Sequence, residues 1–405
     1  MSATGAKHPL RINPLPPQIV KIIAVPRGQR TAEQQLEIAV YQQREQLQHD
    51  RDSLPKPSLV YAAAADFTPD GNLRPPPAPR PIHILHRGEI TKPKEEVQPG
   101  GLRCVSVLPA KFDLQGATHE SARRAALAQW LSHHDNPLTW RSIVNRIWQQ
   151  HFGRGIVATP NDFGRMGAQP THPELLDWLA IRFRDSDQSL KRLHRLLVTS
   201  ETYRQTSQIG IRQDQAATLD ADNTFLWRMQ RTRLDAECIR DAVLSISGRL
   251  DSRMGGPSDR QFDLKPGRHV TPIIDYGLFD LDGPQGNRRS IYRFLFRTLP
   301  DPFMEALDCP AGDQIMPTRT NSVTVQQSLA LWNDAFVLRQ AEHFASRLER
   351  ESPNTPARVS RAVELALGRS PTPNEQEQFE KYVEQHGLPN FCRLLFNANE
   401  FVFIE

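Results

Sequence analysis

The apolar positions of residues 136–179 follow helical spacing. In the first part of this stretch they recur every three or four residues and form one continuous face. That spacing predicts an amphipathic helix. Gly153 and Gly155 follow its last apolar residue, where a left-handed C-cap would end it. The positions on this face are Trp140, Ile143, Val144, Ile147, Trp148, His151 and Phe152.

Start signals and apolar periodicity predict further helices along the chain. The turn at 135–137 is short, so the helix before it should pack antiparallel to the helix of residues 140–152 as a hairpin. We expect helices over Thr31–Leu47, Thr118–Leu131 and Leu234–Gly248. Capping boxes are expected at Thr171–Glu174 and Thr372–Glu375, and further helix starts at Ser189, Thr324–Gln327 and Thr355.

Two regions break the helical pattern. Residues 249–288 are rich in Gly, Pro and Asp, which predicts irregular loops. In RRSIYRFLFRTLP (288–300) the aromatic residues alternate with other side chains, which predicts a strand. The expected fold class is therefore mainly α, a multi-helix domain with a small β element and long irregular loops.

Proline marks the expected domain boundary. Residues 1–80 are expected to form an N-terminal arm, and the proline-rich segment 72–81 a linker or strap, because proline favours extended backbone. Residues 81–405 are expected to form the α-helical domain. If the chain is a fragment of a longer precursor, we expect this arm to be the remnant of a preceding domain.

Composition narrows the function classes. No run among the 405 residues reaches the roughly 18 apolar residues of a membrane helix, and the start of the chain lacks the apolar region of a signal peptide. The net charge is +4, with 41 Arg and 9 Lys. Arginine suits pairing with carboxylates, and the arginines alternate with acidic residues, so no nucleic-acid partner is expected.

The loop at 161–174 holds the candidates for catalysis. Asp162 and His172 would form an acid–base pair if the loop folded back, and Arg146 could join them from the preceding helix. The alternative is structural, with Asp162 forming a turn and His172 lying in the first turn of a helix. The structural alternative is favoured.

The arginines of the second half offer a candidate anion site. Arg240, Arg288, Arg289 and Arg319 could supply forked donors to a sulfate, a phosphate or a carboxylate sugar. The alternative is intrahelical ion pairing, with the pairs Arg233–Glu237 and Glu237–Arg240. No nucleophile, phosphate-loop or nicotinamide motif occurs, and no metal site is expected.

Several motifs follow one another over roughly residues 79–405, and they include NPLTWRSIVNRIWQQHFGRGIVATPNDFG, THPELLDWLA, LKRLHRLLVTSETYRQTS, LWRMQRTRLDAECIRDAVLSISGRLD, RRSIYRFLFRTLPDPFMEALDCP and TRTNSVTVQQSLALWNDAFV. In this order they resemble the planctomycete-type domain of unknown function 1553 family. The resemblance implies a periplasmic or extracellular setting and a neighbouring protein or domain that carries a c-type cytochrome.

This chain has no C-x-x-C-H haem motif, so no cofactor is expected on it. The leading hypothesis is an accessory or interaction domain of a cytochrome-linked envelope complex. The alternative is an enzyme or binding protein that acts on an anionic polysaccharide, with Arg146, Asp162, His172, Arg240 and Arg289 around one cleft.

Overall fold

A computed structural model of the chain shows a mainly α-helical protein with a small β element, as the sequence predicted. It divides into two compact units, residues 1–80 and 81–405. No helix in the part of the chain that the structure describes is both long and apolar enough to cross a membrane. The described residues are 15–54, 68–69, 71–72, 74, 78–114, 119–208, 210, 214–267, 272–319 and 322–404.

The first unit contains two helices, α1 (Pro17–Ile23) and α2 (Ala32–Ser53). The predicted cap is confirmed, because Thr31 and Gln34 form a reciprocal capping box. The helix runs past Leu47 to Ser53 and buries none of its residues. Residues 73 and 75–77 of the predicted proline-rich strap at 72–81 lie outside the described residues.

The second unit begins with an antiparallel hairpin. Strand β1 (His83–His86) pairs with β2 (Glu89–Glu96), and the register shifts along the ladder. The side chains of both strands are almost entirely exposed.

Four helices follow, α3 (Glu120–Leu131), α4 (Pro137–Phe152), α5 (Pro173–Asp185) and α6 (Leu190–Val198). Helix α4 packs mainly against α5 and α6, so the predicted hairpin with α3 is wrong. Its apolar face joins a first core with Leu179 and Phe183 of α5. The C-cap at Gly153 is confirmed by its φ of 75°.

Of the helix starts predicted in this region, one lies outside the described residues and one is wrong. Thr118 lies outside the described residues. Helix α5 is capped at His172 rather than Thr171, and no side chain accepts a hydrogen bond there, so the predicted capping box is wrong. Instead, the Thr171 backbone N–H donates to the carbonyl of Ile156, which fixes the loop ahead of the helix.

Buried Asn145 connects α4 to the loop that follows it. Its side-chain amide donates to the carbonyl of Val157 (2.9 Å) and accepts from the N–H of the same residue (2.8 Å). A Cβ at Gly155 would lie 2.7 Å from this amide. The second glycine of the motif therefore permits close packing.

A second core is formed by the C-terminal helices. Phe344, Phe391 and Phe396 are fully buried within it. Capping boxes at Thr324 and Thr372 confirm two predicted helix starts, although the helix from Thr324 ends at Asn333 and a new one begins at Ala335. The remaining described helices of the unit are α7 (Asp214–Leu219), α8 (Ala236–Ser247), α9 (Pro302–Ala306), α10 (Val325–Asn333), α11 (Ala335–Glu351), α12 (Thr355–Leu367), α13 (Pro373–His386), α14 (Leu388–Phe396) and α15 (Asn399–Val402).

The remaining described strands are short. Strands β3 (Thr232–Arg233) and β6 (Phe403–Ile404) pair antiparallel, as do β4 (Asp263–Lys265) and β5 (Ile273–Asp275). The pair β3–β6 connects the end of the chain to the start of α8.

The strand predicted at 288–300 is wrong. Ser290–Tyr292 form a 3-10 turn, and the following backbone makes only an isolated bridge, between Asp259 and Arg293. The aromatic alternation has a different cause, because Phe294 and Phe296 both pack edge-on against Phe262, with centroids 5.9 Å apart.

Candidate functional site

Arg240 lies on the inward face of α8 and is almost fully buried. Its guanidinium donates to the carbonyl of Arg288 (3.1 Å), to Ser290 Oγ (3.2 Å) and to the carbonyl of Gly286. Burial lowers the pKa of Arg240 to about 10, with a smaller effect from the nearby Arg293 cation. The group stays charged at neutral pH and holds the irregular backbone of 286–290.

The structure brings Arg288 and Arg289 close to Arg240. Arg288 is also buried, donates to the carbonyls of Pro257 (2.9 Å) and Gly255 (2.5 Å), and lies over the Tyr292 ring. Arg289 is 51% exposed, with its Nε 3.6 Å from the Asp241 carboxylate. The two buried guanidiniums are therefore already bonded to backbone oxygens.

Arg319 forms a two-pronged ion pair with Glu237 of α8, at 2.6 and 2.9 Å. Burial raises the pKa of Glu237, but the hydrogen bonds and charge of Arg319, together with further hydrogen bonds, bring it below its ordinary value. Arg233 pairs instead with Asp308 at 2.8 Å. The structure therefore replaces the intrahelical pairs predicted for Arg233, Glu237 and Arg240 with contacts to distant segments.

The catalytic candidates lie at the loop between α4 and α5. Asp162 Oδ1 accepts from the Gly164 N–H at 2.8 Å, which is a local turn, and Arg146 donates to Asn161. His172 Nδ1 is 2.8 Å from Thr171 Oγ1. Among the described residues, no hydrogen bond or ion pair joins Asp162 to His172, or joins either residue to Arg240 or Arg289.

A cavity of about 290 Å³ lies beside Arg240 in the second unit. Its wall combines aromatic rings with a small number of polar groups. Two carboxyl side chains, Asp301 and Asp334, occupy the positions just before helices α9 and α11. The aromatic residues of the wall are Tyr276, Phe279, Phe303 and Phe336, and the polar ones include Gln261, Asn287 and Gln340.

The two carboxylates of the cavity differ in their partners. Asp301 pairs with the Arg293 guanidinium at 2.5 Å and accepts from the Phe303 N–H. Asp334 accepts from the Phe336 N–H at 2.9 Å and has no ion pair among the described residues. Burial raises the pKa of Asp334, and the carboxylate of Asp301 raises it further, against the effect of its backbone hydrogen bond.

Gln261 is the other distinctive group of the wall, and it is only 9% exposed. Its Oε1 accepts from Arg293 Nε at 3.0 Å. Its Nε2 is buried and has no hydrogen-bond partner in the described part of the chain. A buried donor without a partner is costly, and such groups require an explanation.

The sequence named Arg240 as a candidate anion ligand but did not reveal the cavity beside it. The sequences DPF (301–303) and DAF (334–336) are recognisable as helix starts, since Asp is a preferred N-cap. Nothing in the local sequence shows that the two caps face one cavity, because that depends on how α9 and α11 pack. Gln261 carries no sequence signal of this kind.

A separate feature is the concentration of exposed apolar side chains on the β1–β2 hairpin. Ile90 is 84% exposed, and four further large apolar side chains of the segment 82–97 are exposed. These four are Ile82, Ile84, Leu85 and Val97. Contiguous exposed apolar residues typically mark interaction surfaces.

Among the described residues, no group of three His, Cys, Asp or Glu side chains could hold a metal ion.

Comparisons with other proteins give a family and no mechanism. Searches of curated proteins and of solved structures found no match. A family model described as protein of unknown function (DUF1553) matches residues 123–383, which is more than half of the chain. The chain therefore belongs to the DUF1553 family.

Proposed function

We propose that this chain is an accessory interaction module, and that its partner is a c-type cytochrome-bearing protein of a cell-envelope complex. The observation that supports the proposal is the exposed apolar hairpin β1–β2. A two-stranded hairpin is marginally stable in water without further packing. A ribbon with apolar groups exposed along its length gains stability when a partner covers it.

The edges of the hairpin favour contact through its faces. Strand β2 carries Lys92, Pro93 and Lys94, and lysine and proline on an edge strand oppose the addition of another strand. The apolar side chains of Ile84 and Ile90 would then provide the contact with the partner. The cytochrome-bearing identity of that partner rests on the family resemblance.

The arginine contacts argue against the alternative, an enzyme or binding protein for an anionic polysaccharide. Arg240 and Arg288 donate to backbone carbonyls, and Arg319 is engaged by Glu237. An anion would have to displace these partners. Asp162 and His172 make separate local contacts, so the described structure offers no assembled acid–base pair.

The test is affinity purification of the tagged full chain from the envelope fraction of its source organism, with haem absorbance and mass spectrometry of the co-purifying proteins. We expect a stoichiometric haem-bearing protein with the wild type and its loss with Ile90→Thr. The substitution keeps a β-branched residue, so the hairpin should persist. Ile291→Thr is the matched control, because Ile291 is 79% exposed elsewhere in the unit.

Two results would contradict the proposal. One is the absence of a haem-bearing protein, or its equal recovery with Ile90→Thr and the wild type. The other is multiple turnover of any substrate by the isolated chain, since an accessory module has no catalytic cycle.

A further inference from the structure

We infer that the cavity beside Arg240 binds a small primary amine with a single apolar ring, and that the Asp334 carboxylate receives its ammonium group. The volume of the cavity, about 290 Å³, is at the small end of ligand sites, which suits a body of one ring. The inference concerns a different part of the second unit from the hairpin and does not depend on the proposed function.

Asp334 is the carboxylate of the wall that has an oxygen free for a ligand. Among the described residues its side chain makes one hydrogen bond, in which Oδ1 accepts from the Phe336 N–H at 2.9 Å. Oδ2 has no partner there, yet it is not among the unpartnered polar atoms of the described residues that are shut off from solvent. A molecule in the cavity can reach this oxygen. Because an ionised carboxylate only accepts hydrogen bonds, that molecule has to donate one.

The charges of the wall favour a cationic donor. Asp301 pairs with the Arg293 guanidinium at 2.5 Å. The guanidinium of Arg240 is bonded to backbone carbonyls and lies 3.7 Å from the Asp241 carboxylate. Asp334 has no cation within ion-pair distance in the part of the chain that the structure describes. A carboxylate that is partly buried without a counter-ion is costly, so a ligand that brings a positive charge is favoured over a neutral or anionic ligand of the same shape.

The ionisation of Asp334 is consistent with this missing counter-ion. Burial raises its pKa, and the Asp301 carboxylate raises it further. An ammonium group beside Oδ2 would oppose both effects, because a nearby cation stabilises the charged form of a carboxyl. It would also donate a charge-assisted hydrogen bond, which is roughly twice as strong as a neutral one.

The aromatic part of the wall suits an apolar ring. Tyr276, Phe279 and Phe303 contribute side chains to the lining, and ligand sites typically combine such walls with a few placed polar groups. Aromatic faces also attract cations, which adds to the preference for an amine. A fourth ring, that of Phe336, already has the Arg240 guanidinium 5.4 Å from its centroid, so the other three are the rings available to a ligand.

The experiment is ligand-observed NMR and calorimetry on the full chain with matched analogues that share one ring and differ in the end group. Benzyl, phenylethyl and cyclohexylmethyl compounds are each used as the amine, the alcohol and the carboxylate. We expect at least one amine to bind at least about tenfold more tightly than its alcohol and its carboxylate. The alcohol lacks the positive charge, and the carboxylate reverses it.

Asp334→Asn separates the charge from the start of α11. Asparagine caps a helix as well as aspartate does, so the unfolding midpoint should not fall. Binding of the amine should weaken at least about tenfold, whereas the alcohol should bind the variant and the wild type equally. Asp187→Asn is the matched control, because it removes the same charge from an exposed pair with Arg192, and it should bind the amine as the wild type does.

A second variant tests the location of the bound amine. Ala335 is exposed, is the first residue of α11 and lines the cavity, so Ala335→Leu should abolish binding by filling part of it. Ala32→Leu is the control, at the exposed first position of α2, and should bind as the wild type does.

Several results would overturn the inference. These are binding of none of the amines, and an alcohol or a carboxylate that binds as tightly as its amine. Equal binding of the amine by Asp334→Asn and the wild type, or an equal loss with Asp187→Asn, would show that the Asp334 charge is not the determinant. Equal binding by Ala335→Leu and the wild type would place the amine outside this cavity. None of these results bears on capture of a haem-bearing partner by the hairpin, so the two proposals fail separately.

Discussion

Two adjoining regions of the second unit are held together by different interactions. The C-terminal core, formed by α8, α11, α12 and α14, buries the rings of Phe344, Phe391 and Phe396 completely. In the arginine-held segment, residues 249–301, the described residues 249–267 and 272–301 have little regular structure and are fixed by guanidinium groups. Arg240 and Arg288 donate to its backbone carbonyls, and Arg293 to its side chains.

The two regions differ because their backbone N–H and C=O groups find different hydrogen-bond partners. Helices satisfy their own N–H and C=O groups and need only a covered apolar face. An irregular segment leaves carbonyls without partners, and burying them requires an outside donor. The fork of Arg240 supplies donors to Gly286, Arg288 and Ser290 at once. The cavity lies where these two regions meet.

The largest effect is expected in the helical core. Phe391→Ala should lower the free energy of unfolding by about 3–5 kcal/mol, because it removes a fully buried ring and leaves a cavity. Chemical denaturation measures the change. Met166→Ala is the control, since Met166 is 88% exposed, and an equal loss there would contradict the role assigned to the core.

The next effect tests the arginine-held segment. Arg240→Met should lower the free energy of unfolding by about 2–3 kcal/mol, because buried carbonyls of 286–288 lose their donors. Its neighbour Arg289 is half-exposed, and Arg289→Met should cost less than about 1 kcal/mol. Equal losses would show that burial does not distinguish the two arginines.

The smallest effect is a dependence on pH. Burial raises the pKa of Asp308, but hydrogen bonds from Ser322 and the Arg233 cation lower it by more, to a net value below the ordinary one. A carboxyl with a depressed pKa stabilises the fold at pH values above its unfolded pKa, about 3.9. That contribution should be lost as pH falls below about 4, through the folded pKa.

Acid titration of the unfolding free energy measures this contribution. Asp308→Asn should flatten the slope of stability below about pH 4. Asparagine tolerates the left-handed backbone at this position, where φ is 65°, so the variant should still fold. An unchanged slope would assign the acid sensitivity to other carboxylates.

How far the site could be predicted from the sequence also differs between the helices and the arginine-held segment. Residue type and periodicity identified α8 and hence Arg240, but its acceptors lie 46–50 residues further along the chain. Arg319 was predicted as an anion ligand, whereas its partner Glu237 is 82 residues away. Such pairings depend on which segments meet, and spacing in the sequence carries no information about that.

The sequence by itself determined most of the longer helices and several of their ends. The caps at Thr31, Thr324 and Thr372 form between residues three apart, and Gly153 ends α4 through its own backbone freedom. These interactions are local, so the residues that make them are adjacent in any context.

The tertiary structure alone decided the rest. It placed the α5 cap at His172, replaced the expected strand at 288–300 with aromatic packing on Phe262, and brought Asp301, Asp334 and Gln261 to one cavity. Each of these outcomes depends on a partner distant in sequence. Local propensity is weak beside such contacts, because packing and buried hydrogen bonds together outweigh the preference of any single residue.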